Sequence, residues 1–410
     1  MTSTATLLEQ RRNGCIEFTQ QDFQALLAPN SSDVVVAAML TTLAMSPRSD
    51  AEAFALTRAY VASGRQVRWP DATVMVDKHS TGGVGDDVSI VLAPLLAALG
   101  IPMGKVSGAA LRHCGGTLDK LGCIPGLRLA LSVEEFTGCV DQVGFCLAGQ
   151  STELVPADRR TYALRERTGT VDVTTLIAAS IMGKKLACGA HTIALEVKHG
   201  SGALIPDAEQ AIELARLMRA IGESAGRRML ISVVNASAPL APAAGPVLEL
   251  REAVAVLRGG GAPALRAHVT DLAERIVRAV DPPGTMSARA RIDHAVDSGR
   301  AFETFCRYVA HLGGDLAWLC DGGLDTTTAP AVTTYRTPGA VYFAGIDAGP
   351  VGRIARALAD TDPRCGVRIL AEPGQRYPAG TPLLEIHTLD TATGADRIAA
   401  LSHACRFRDQ

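Results

Sequence analysis

A glycine-rich segment at residues 77–89 has the residue types of an anion-binding loop. It reads DKHSTGGVGDDVS, follows the short β-type run TVMV and opens the apolar helical run VSIVLAPLLAAL. Small residues let backbone N–H groups converge on an anion, and Lys78, Ser80 and Ser89 add a charge and two hydroxyls. The spacing matches neither GxxxxGK[ST] nor GxGxxG. We therefore predict a phosphate cradle with the titratable His79 beside it; the alternative is a tight glycine turn with a hydrogen-bonded histidine.

The two acidic residues of this segment do not suit an anion site. Asp86 and Asp87 stand immediately before the apolar run, where a carboxylate would repel a bound phosphate. Carboxylates are favourable at a helix N-terminus. We therefore expect both side chains to cap the following helix or to point away from the anion.

A second segment, at residues 107–121, has the same order of strand, glycine turn and helix. It reads SGAALRHCGGTLDKL and follows the β-type run MGKV. In open α/β sheets ligands bind outside the carboxyl ends of the strands, so two adjacent turns can share one ligand. The hydroxyls of Ser107 and Thr117 can therefore reach the same anion. We interpret His113, which has no role in this scheme, as a structural histidine.

A third group of candidates lies in a helical pattern near residues 173–188. Ser180 and Lys184 are four residues apart, and Ile177 precedes Ser180 by three, so these side chains share one helix face. Arg165 lies upstream in the same stretch. A cation, a hydroxyl and an apolar residue on one helix face could bind a flat heterocycle that carries carbonyl groups at its edge. The alternative is a solvated lysine and a serine bonded to its own backbone.

The pattern of elements changes twice along the chain. Before residue 67 it is helical, because Thr19, Ser32 and Ser49 or Asp50 precede apolar residues at helical spacing. From Thr73 β-type and helical runs alternate, which is the signature of a parallel sheet. From residue 331 onward, β-prone runs around a Pro-Gly turn predict a small α+β unit.

Composition excludes several classes of protein. The 410 residues predict two or three domains, and 47% hydrophobic residues with a net charge of −2 exclude disorder. Forty basic residues against 42 acidic ones, with no long basic run, disfavour nucleic-acid binding. No apolar stretch is long enough for a signal peptide or a membrane helix. The 10 scattered cysteines fit a reducing cytosol and predict no metal site.

Together the three segments resemble the pyrimidine nucleoside phosphorylase family, which includes the thymidine phosphorylases. The shared motifs are DKHSTGGVGD, SG…GGTLDKL…IPG, YALR…TVD, ASI..KKLA and VK.GSGA, in the family's order and spacing. The resemblance covers nearly the whole chain. It implies a small all-helical domain and a larger mixed α/β domain with a C-terminal α+β portion, an active site in the interdomain cleft, and a homodimer. The implied domains are residues 1–67 with 158–187 (helical), 70–155 with 190–330 (α/β, phosphate-binding) and 331–410 (C-terminal).

The resemblance also assigns roles to individual residues. The family's phosphate ligands fall on Lys78, Ser80, Ser89, Ser107 and Thr117. Its pyrimidine-binding residues fall on His79, Arg165, Ser180 and Lys184, and Ile177 joins them on the helix stripe. The implied activity is that of a pentosyltransferase: reversible phosphorolysis of a pyrimidine nucleoside to free base and pentose 1-phosphate, with phosphate as co-substrate and no cofactor.

This assignment agrees with the chemistry of the reaction. Breaking the N-glycosidic bond leaves negative charge on the ring, so cationic donors at the ring oxygens and an anionic nucleophile across the sugar lower the barrier. We expect His79 to hold or protonate the O2 carbonyl, and Arg165 and Lys184 to neutralise the remaining charge. The two groups lie on different domains, so a closing motion is expected.

Several positions depart from the family pattern. Ala109 stands where the family has Arg, and Gly122 where it has Glu, which suggests a lost ion pair. Asp87 and His199 also differ from the usual residues, and the loop NASAPLAPAAGPVLE is altered. Some relatives hold a structural cation between that loop and the phosphate loop, and the altered residues put such a site in doubt. We hypothesise a reshaped pocket for a sugar-modified, uridine-type nucleoside.

Two other functions are weighed against this one. An anthranilate-type phosphoribosyltransferase shares the general fold but needs a magnesium and pyrophosphate site with acidic residues of its own, which DKHSTGGVGD does not clearly supply. A non-catalytic nucleoside-binding protein predicts the loss of phosphate ligands, whereas all five are retained. Phosphate-dependent release of a pyrimidine base without magnesium distinguishes the phosphorylase from both.

Overall fold

The computed structural model describes residues 3–70, 73–107, 113, 115–281 and 286–408. Its first helices begin at the predicted capping residues, because Thr19, Ser32 and Ser49 each accept a backbone N–H of the first turn. The helical interpretation of this part is confirmed. The helices are α1 (Thr4–Arg12), α2 (Gln20–Leu26), α3 (Asp33–Met45) and α4 (Asp50–Ala62).

A five-stranded parallel sheet positions the candidate site. Its strands are β1 (Val76–Ser80), β2 (Met103–Ser107), β3 (Phe145–Gly149), β4 (Thr192–His199) and β5 (Arg228–Asn235). Their order is β3-β2-β1-β4-β5. The strand order therefore reverses beside β1, and in open α/β sheets such a point opens a ligand-binding crevice at the carboxyl ends.

Strand β1 differs from the prediction. The β-type run TVMV was expected to be the strand, but the strand begins at Val76 and continues through Lys78, His79 and Ser80. Its backbone pairs in register with β4, from Val76 opposite Thr192 to Ser80 opposite Glu196. This ladder satisfies the backbone of a polar segment that local β propensity does not select. The candidate residues therefore project from a strand and not from a loop.

Helices cover the sheet, and α8 and α9 join the N-terminal helices. Helix α9 packs on α4, and α8 packs on α3; the buried Tyr60 on α4 also shares a hydrogen bond with Thr161 on α8. One continuous apolar core links these helices to the sheet. The predicted domain boundaries stay a prediction. The helices are α5 (Val88–Ala98), α6 (Thr117–Leu121), α7 (Val133–Val143), α8 (Pro156–Thr168), α9 (Thr174–Ala187), α10 (Ala208–Ser224), α11 (Pro246–Leu257), α12 (Pro263–Val280), α13 (Ala288–Asp297), α14 (Arg300–His311), α15 (Leu316–Cys320) and α16 (Gly323–Thr326).

The C-terminal region is α+β, as predicted, and has a second apolar core. Two antiparallel sheets form it, in the orders β10-β8-β12 and β6-β9-β11-β7. The strands on either side of the Pro-Gly turn, β7 and β8, therefore belong to different sheets. The elements are β6 (Ala243–Ala244), β7 (Ala331–Arg336), β8 (Val341–Ile346), α17 (Ala348–Ala359), β9 (Gly366–Ile369), β10 (Gln375–Tyr377), β11 (Pro382–Thr388), α18 (Thr391–Ser402) and β12 (Cys405–Arg408).

The mixed α/β class, with a parallel sheet and separate antiparallel sheets, is thus confirmed. In the described ranges no helix combines the length and the apolar character that crossing a bilayer requires.

Candidate active site

A buried ammonium group joins the two predicted anion-binding segments. Lys105 on β2 is 4% exposed, and its Nζ donates to Ser89 Oγ at 2.6 Å and to Thr117 Oγ1 at 3.4 Å. Ser89 is in the first turn of α5 and Thr117 begins α6, so hydroxyls from both segments meet at one cation. Ser107 lies two residues along the same strand, at the carboxyl end of β2.

The charge of Lys105 lacks a bonded carboxylate within the described residues. Burial, with the charges of Lys78 and Lys185, lowers the pKa of Lys105 well below its ordinary value of 10.5. A cation that is removed from water and bonded only to hydroxyls favours binding of an anion, which would supply the missing countercharge.

Lys78 is the second buried cation at this edge. It is fully buried, and its Nζ lies 2.9 Å from Oε2 of Glu196 and 3.9 Å from Oδ1 of Asp86. Burial alone would lower the pKa of Lys78, but the two carboxylates outweigh burial and raise it. Its Nζ makes no well-aligned hydrogen bond in the described part of the chain. The ammonium is thus held as a cation, with Glu196 as its nearest countercharge.

The expectation for Asp86 is wrong. Its carboxylate points into the cluster, where Oδ2 accepts from Ser80 Oγ at 2.5 Å and pairs with Lys198 Nζ at 2.9 Å. The charges of Lys198 and Lys78 overcome burial and lower the pKa of Asp86 well below its usual value. Two lysines on the sheet make an inward carboxylate favourable. Ser80 must therefore exchange this partner to bind phosphate.

Of the two alternatives expected for Asp87, a cap on α5 is not formed, and its side chain turns to Lys120 instead of to Lys78 or Lys105. Asp87 occupies the N-cap position without a side-chain capping bond, and its Oδ1 lies 2.8 Å from Nζ of Lys120. The same Nζ lies 2.5 Å from Glu249 on α11 and donates to the backbone oxygen of Asp86 at 2.9 Å. The buried ion pair is favoured over a cap because Lys120 needs a countercharge.

The Lys120 ammonium lies between the first glycine-rich segment and α11. Between the phosphate loop and α11 it already has two carboxylates and a backbone oxygen as partners. Despite burial, those carboxylates raise the pKa of Lys120. Within the described ranges, no group of three His, Cys, Asp or Glu side chains is arranged to bind a metal ion. The doubt about a structural cation at this place stays a prediction.

On the helical side, Lys184 and Ser180 lie together as the helix spacing predicts. Lys184 Nζ donates to Ser180 Oγ at 2.8 Å and to Oδ2 of Asp158 at 2.5 Å. Asp158 lies in the first turn of α8 and is buried. Ile177, one turn before Ser180, is partly buried against the main core. The lysine is thus paired with a carboxylate and is not a solvated surface group.

Arg165 has most of its donors committed to backbone. Its guanidinium is 3% exposed and donates to the carbonyls of Thr170, Val171 and Leu176, at the connection between α8 and α9. Burial lowers the pKa of Arg165. A guanidinium has five N–H donors, so two of them are not used in these bonds. Its base-binding role stays a prediction.

The surroundings of His79 favour the neutral form of its ring. Burial and the charges of four nearby lysines lower the pKa of His79 well below its ordinary value of 6.5. Those lysines are Lys185, Lys105, Lys184 and Lys78. A neutral imidazole can donate one N–H to a carbonyl oxygen but holds no extra proton to deliver. Of the two roles expected for His79, holding the O2 carbonyl is the one this environment favours.

Some predicted features lie outside the described residues. Ala109 is one of them, so the lost ion pair with position 122 stays a hypothesis; Gly122 follows α6 directly. His113 is described, and it lines a cavity between α6, α11 and α17. His199 ends β4, opposite Asn235 of β5.

The sequence analysis missed several charged residues of the site. They are Lys105, Lys120, Asp158, Lys185, Glu196 and Lys198. Lys185 forms a fully buried ion pair with Asp77 at 2.9 Å. One signal could have found the lysines: only six of the 40 basic residues are lysine, all between residues 78 and 198. Five are buried and Lys184 is 11% exposed, so the lysines are concentrated around this site, where Arg165 is the one arginine among the predicted residues.

These residues define an α/β protein with a candidate anion site at the carboxyl ends of parallel strands. Residues 72–302 match the family model described as "Glycosyl transferase family, a/b domain". The chain is 36% identical to thymidine phosphorylase of Homo sapiens, over 98% of this chain and 88% of that protein. It is 35% identical to pyrimidine-nucleoside phosphorylase of Staphylococcus haemolyticus, over 93% of this chain and 91% of that one. The chain belongs to the thymidine and pyrimidine-nucleoside phosphorylase family, and so to the pentosyltransferases.

A solved structure shares the fold. Anthranilate phosphoribosyltransferase from Thermus thermophilus superposes with a TM-score of 0.60 at 19% sequence identity, covering 74% of this chain and 98% of that one. At this identity the likeness extends to the fold alone. The near full-length sequence similarity is to the phosphorylases.

Proposed function

We propose that this protein catalyses reversible phosphorolysis of a pyrimidine nucleoside, with inorganic phosphate as co-substrate and no cofactor. The observation that carries the proposal is the buried Lys105 ammonium, bonded to Ser89 and Thr117 and to no carboxylate in the described part of the chain. Family membership supplies the substrate classes, since the relatives are named for pyrimidine nucleosides and thymidine.

The reaction follows from the two sets of residues. A phosphate oxygen held by Lys78, Lys105 and the hydroxyls attacks the anomeric carbon of the sugar, and the carbon–nitrogen bond breaks. The bonding pair moves onto the pyrimidine ring, which leaves as an anion and later takes up a proton from water. His79 donates an N–H to the O2 carbonyl, while Lys184 stabilises the developing charge, an effect worth about 3–4 kcal/mol for one well-placed donor.

The substrate we propose is a sugar-modified nucleoside of the uridine type. The proposal is motivated by two departures from the family motifs, Ala109 and Gly122, beside a complete set of phosphate and base residues. These two departures remove one cationic and one anionic side chain and leave the net charge unchanged, and we propose that they alter the shape of the pocket. Turnover of thymidine or uridine far faster than that of every modified analogue would contradict it.

We further propose a homodimer in the cytoplasm. Family resemblance motivates the dimer, and α3 supports it by leaving two apolar side chains in water: Val34 is 77% exposed and Met45 is 83% exposed. The two side chains lie at opposite ends of the helix, so the resemblance carries most of this proposal. Light scattering coupled to size exclusion, on the native chain and on Val34→Asp, tests the assembly; a monomeric native chain would contradict it.

A nucleoside panel tests the proposed activity. Uridine, thymidine, deoxyuridine and sugar-modified analogues are incubated with phosphate, with and without a chelator, while free base and sugar phosphate are quantified. We expect equal amounts of base and pentose 1-phosphate, dependent on phosphate and insensitive to the chelator. Activity only with magnesium and a phosphoribosyl donor would instead support a phosphoribosyltransferase. Nucleoside binding without turnover of any analogue would support the non-catalytic alternative.

A further inference from the structure

A histidine on an outer helix reaches the charged network behind the anion site. His268 on α12 hydrogen-bonds through Nε2 to Oε1 of Glu196 on β4. Glu196 is 2% exposed, whereas the His268 side chain is 24% exposed. Lys78 and His268 lower the pKa of Glu196 to about 2 although burial opposes them. The carboxylate carries no proton, so the histidine Nε2–H is the donor.

The other oxygen of Glu196 meets the buried lysine of the cradle. Oε2 lies 2.9 Å from Lys78 Nζ. In the parallel pairing of β1 and β4, Ser80 lies opposite Glu196. Side chains alternate between the faces of a strand, so Lys78, Ser80 and Glu196 share one face of the sheet. The chain of contacts runs from His268 through Glu196 to Lys78.

In this series of contacts, each side chain restricts the positions that the next side chain can adopt. A glutamate that is free to rotate could present both oxygens to Lys78 and neutralise it more fully. With Oε1 occupied by His268, only Oε2 is left for the ammonium. This accounts for a Lys78 that has a countercharge but makes no well-aligned hydrogen bond in the described residues.

We infer that His268 is a positioning residue of the anion site: it holds the Glu196 carboxylate so that Lys78 is charged, fixed beside Ser80 and still open to phosphate. This inference rests on the proposed phosphorolysis. His268 touches neither substrate; it acts through Glu196. The effect belongs to phosphate binding, because the chain of contacts leads to the cradle and not to Lys184.

A purely structural role predicts something different. His268 could serve only to fasten α12 to the sheet. A second side chain on this helix does the same without reaching Lys78: Arg275, two turns along, donates to the Ser232 hydroxyl of β5. Arg275→Met is therefore a matched control that loosens the same helix from the same sheet.

The test uses the full-length protein and three variants: His268→Leu, His268→Gln and Arg275→Met. We expect His268→Leu to raise the KM for phosphate about tenfold with kcat changed less than about twofold. His268→Gln, which retains a donor to Oε1, should restore the KM to within about twofold of the native value. Arg275→Met should leave the KM for phosphate unchanged.

A second readout does not depend on turnover. The rise in Tm that inorganic phosphate produces is measured for each protein, since a ligand stabilises the state that binds it. We expect a smaller rise in His268→Leu than in His268→Gln. An unchanged phosphate response in His268→Leu, or an equal loss in Arg275→Met, would overturn the inference. If the native chain shows the thermal response to phosphate but no phosphorolysis, the proposed function fails while the positioning role is still tested.

Discussion

The strand side and the helical side of the site hold their cations in different ways. At the sheet, Lys105 bonds only to hydroxyls in the described part of the chain, and Lys78 makes no well-aligned hydrogen bond. On the helices, Lys184 is bonded to Asp158 and Ser180, and Arg165 donates to three backbone carbonyls. At the sheet, these two cationic donors lack a bonded carboxylate or a well-aligned hydrogen bond within the described residues. On the helices, most of the cationic donors are already bonded within the protein.

This difference between the two sides suggests that phosphate binds before the pyrimidine base is engaged. Lys105 has no bonded carboxylate in the described residues, so the cradle can bind an anion once Ser80 exchanges Asp86, and the nucleophile is then held before the base is engaged. A cation already paired with a carboxylate must share or exchange that partner, which is compatible with closure of the helices on the sheet as the nucleoside binds. Substitutions on the two sides should therefore affect different kinetic constants.

The largest expected effect is a loss of kcat on substitution of Lys184, on the helical side. Lys184→Met should lower kcat by more than about 100-fold, because it removes a cationic donor from the departing ring. Steady-state kinetics with saturating phosphate measure it. Arg167→Met, on an exposed position of α8, is the control and should leave kcat unchanged. A Lys184→Met enzyme with near-native turnover would remove Lys184 from the chemistry.

A smaller effect is expected for substitutions at the sheet, and it concerns the KM for phosphate instead of kcat. Lys105→Met should raise the KM for phosphate about 30-fold, the equivalent of about 2 kcal/mol for a buried charge-assisted contact. The KM for the nucleoside should change little, since Lys105 bonds to the phosphate-side hydroxyls. Varying phosphate at fixed nucleoside, and the reverse, separates the two constants. Equal changes in both would argue against the division between the two sides.

Removal of the Thr117 hydroxyl should also raise the KM for phosphate, but by less than the loss of Lys105. Thr117→Val retains the shape of the side chain and should raise the KM for phosphate about 5- to 10-fold, the loss of about 1–1.4 kcal/mol. Thr137→Val is the matched control, because Thr137 on α7 bonds to its own helix. An unchanged phosphate dependence in Thr117→Val would exclude Thr117 from the anion site.

The smallest predicted effect is a pH dependence. The pKa of Lys105 is lowered by burial and by Lys78 and Lys185, so Lys105 loses its proton as the pH rises, earlier than an exposed lysine does. Phosphate affinity should weaken as this charge is lost. Lys105→Arg keeps its charge, so its KM for phosphate should rise less steeply than that of the native enzyme as the pH increases toward 10.5, the ordinary pKa of lysine. Parallel profiles would show that Lys105 is not the titrating group.

Features of the fold and of the site that depend on residues close in sequence could be predicted. The caps at Thr19, Ser32 and Ser49 and the pairing of Ser180 with Lys184 depend on residues three or four positions apart, and the structure has them as predicted. Strand β1 could not be predicted in this way, since its polar residues are held by a ladder to a strand more than 100 positions away.

The amino-acid order alone determined the family, the α/β class and the identity of the candidate phosphate and base residues, because motifs and capping signals are local in the chain. Tertiary structure alone decided the partners of the charges: Asp86 turned inward to Lys198, Lys120 placed between Asp87 and Glu249, and His268 linked to Lys78 through Glu196. A buried charge takes whichever counterion the fold brings within a few ångströms. That distance depends on how distant segments pack, and no spacing along the chain records it.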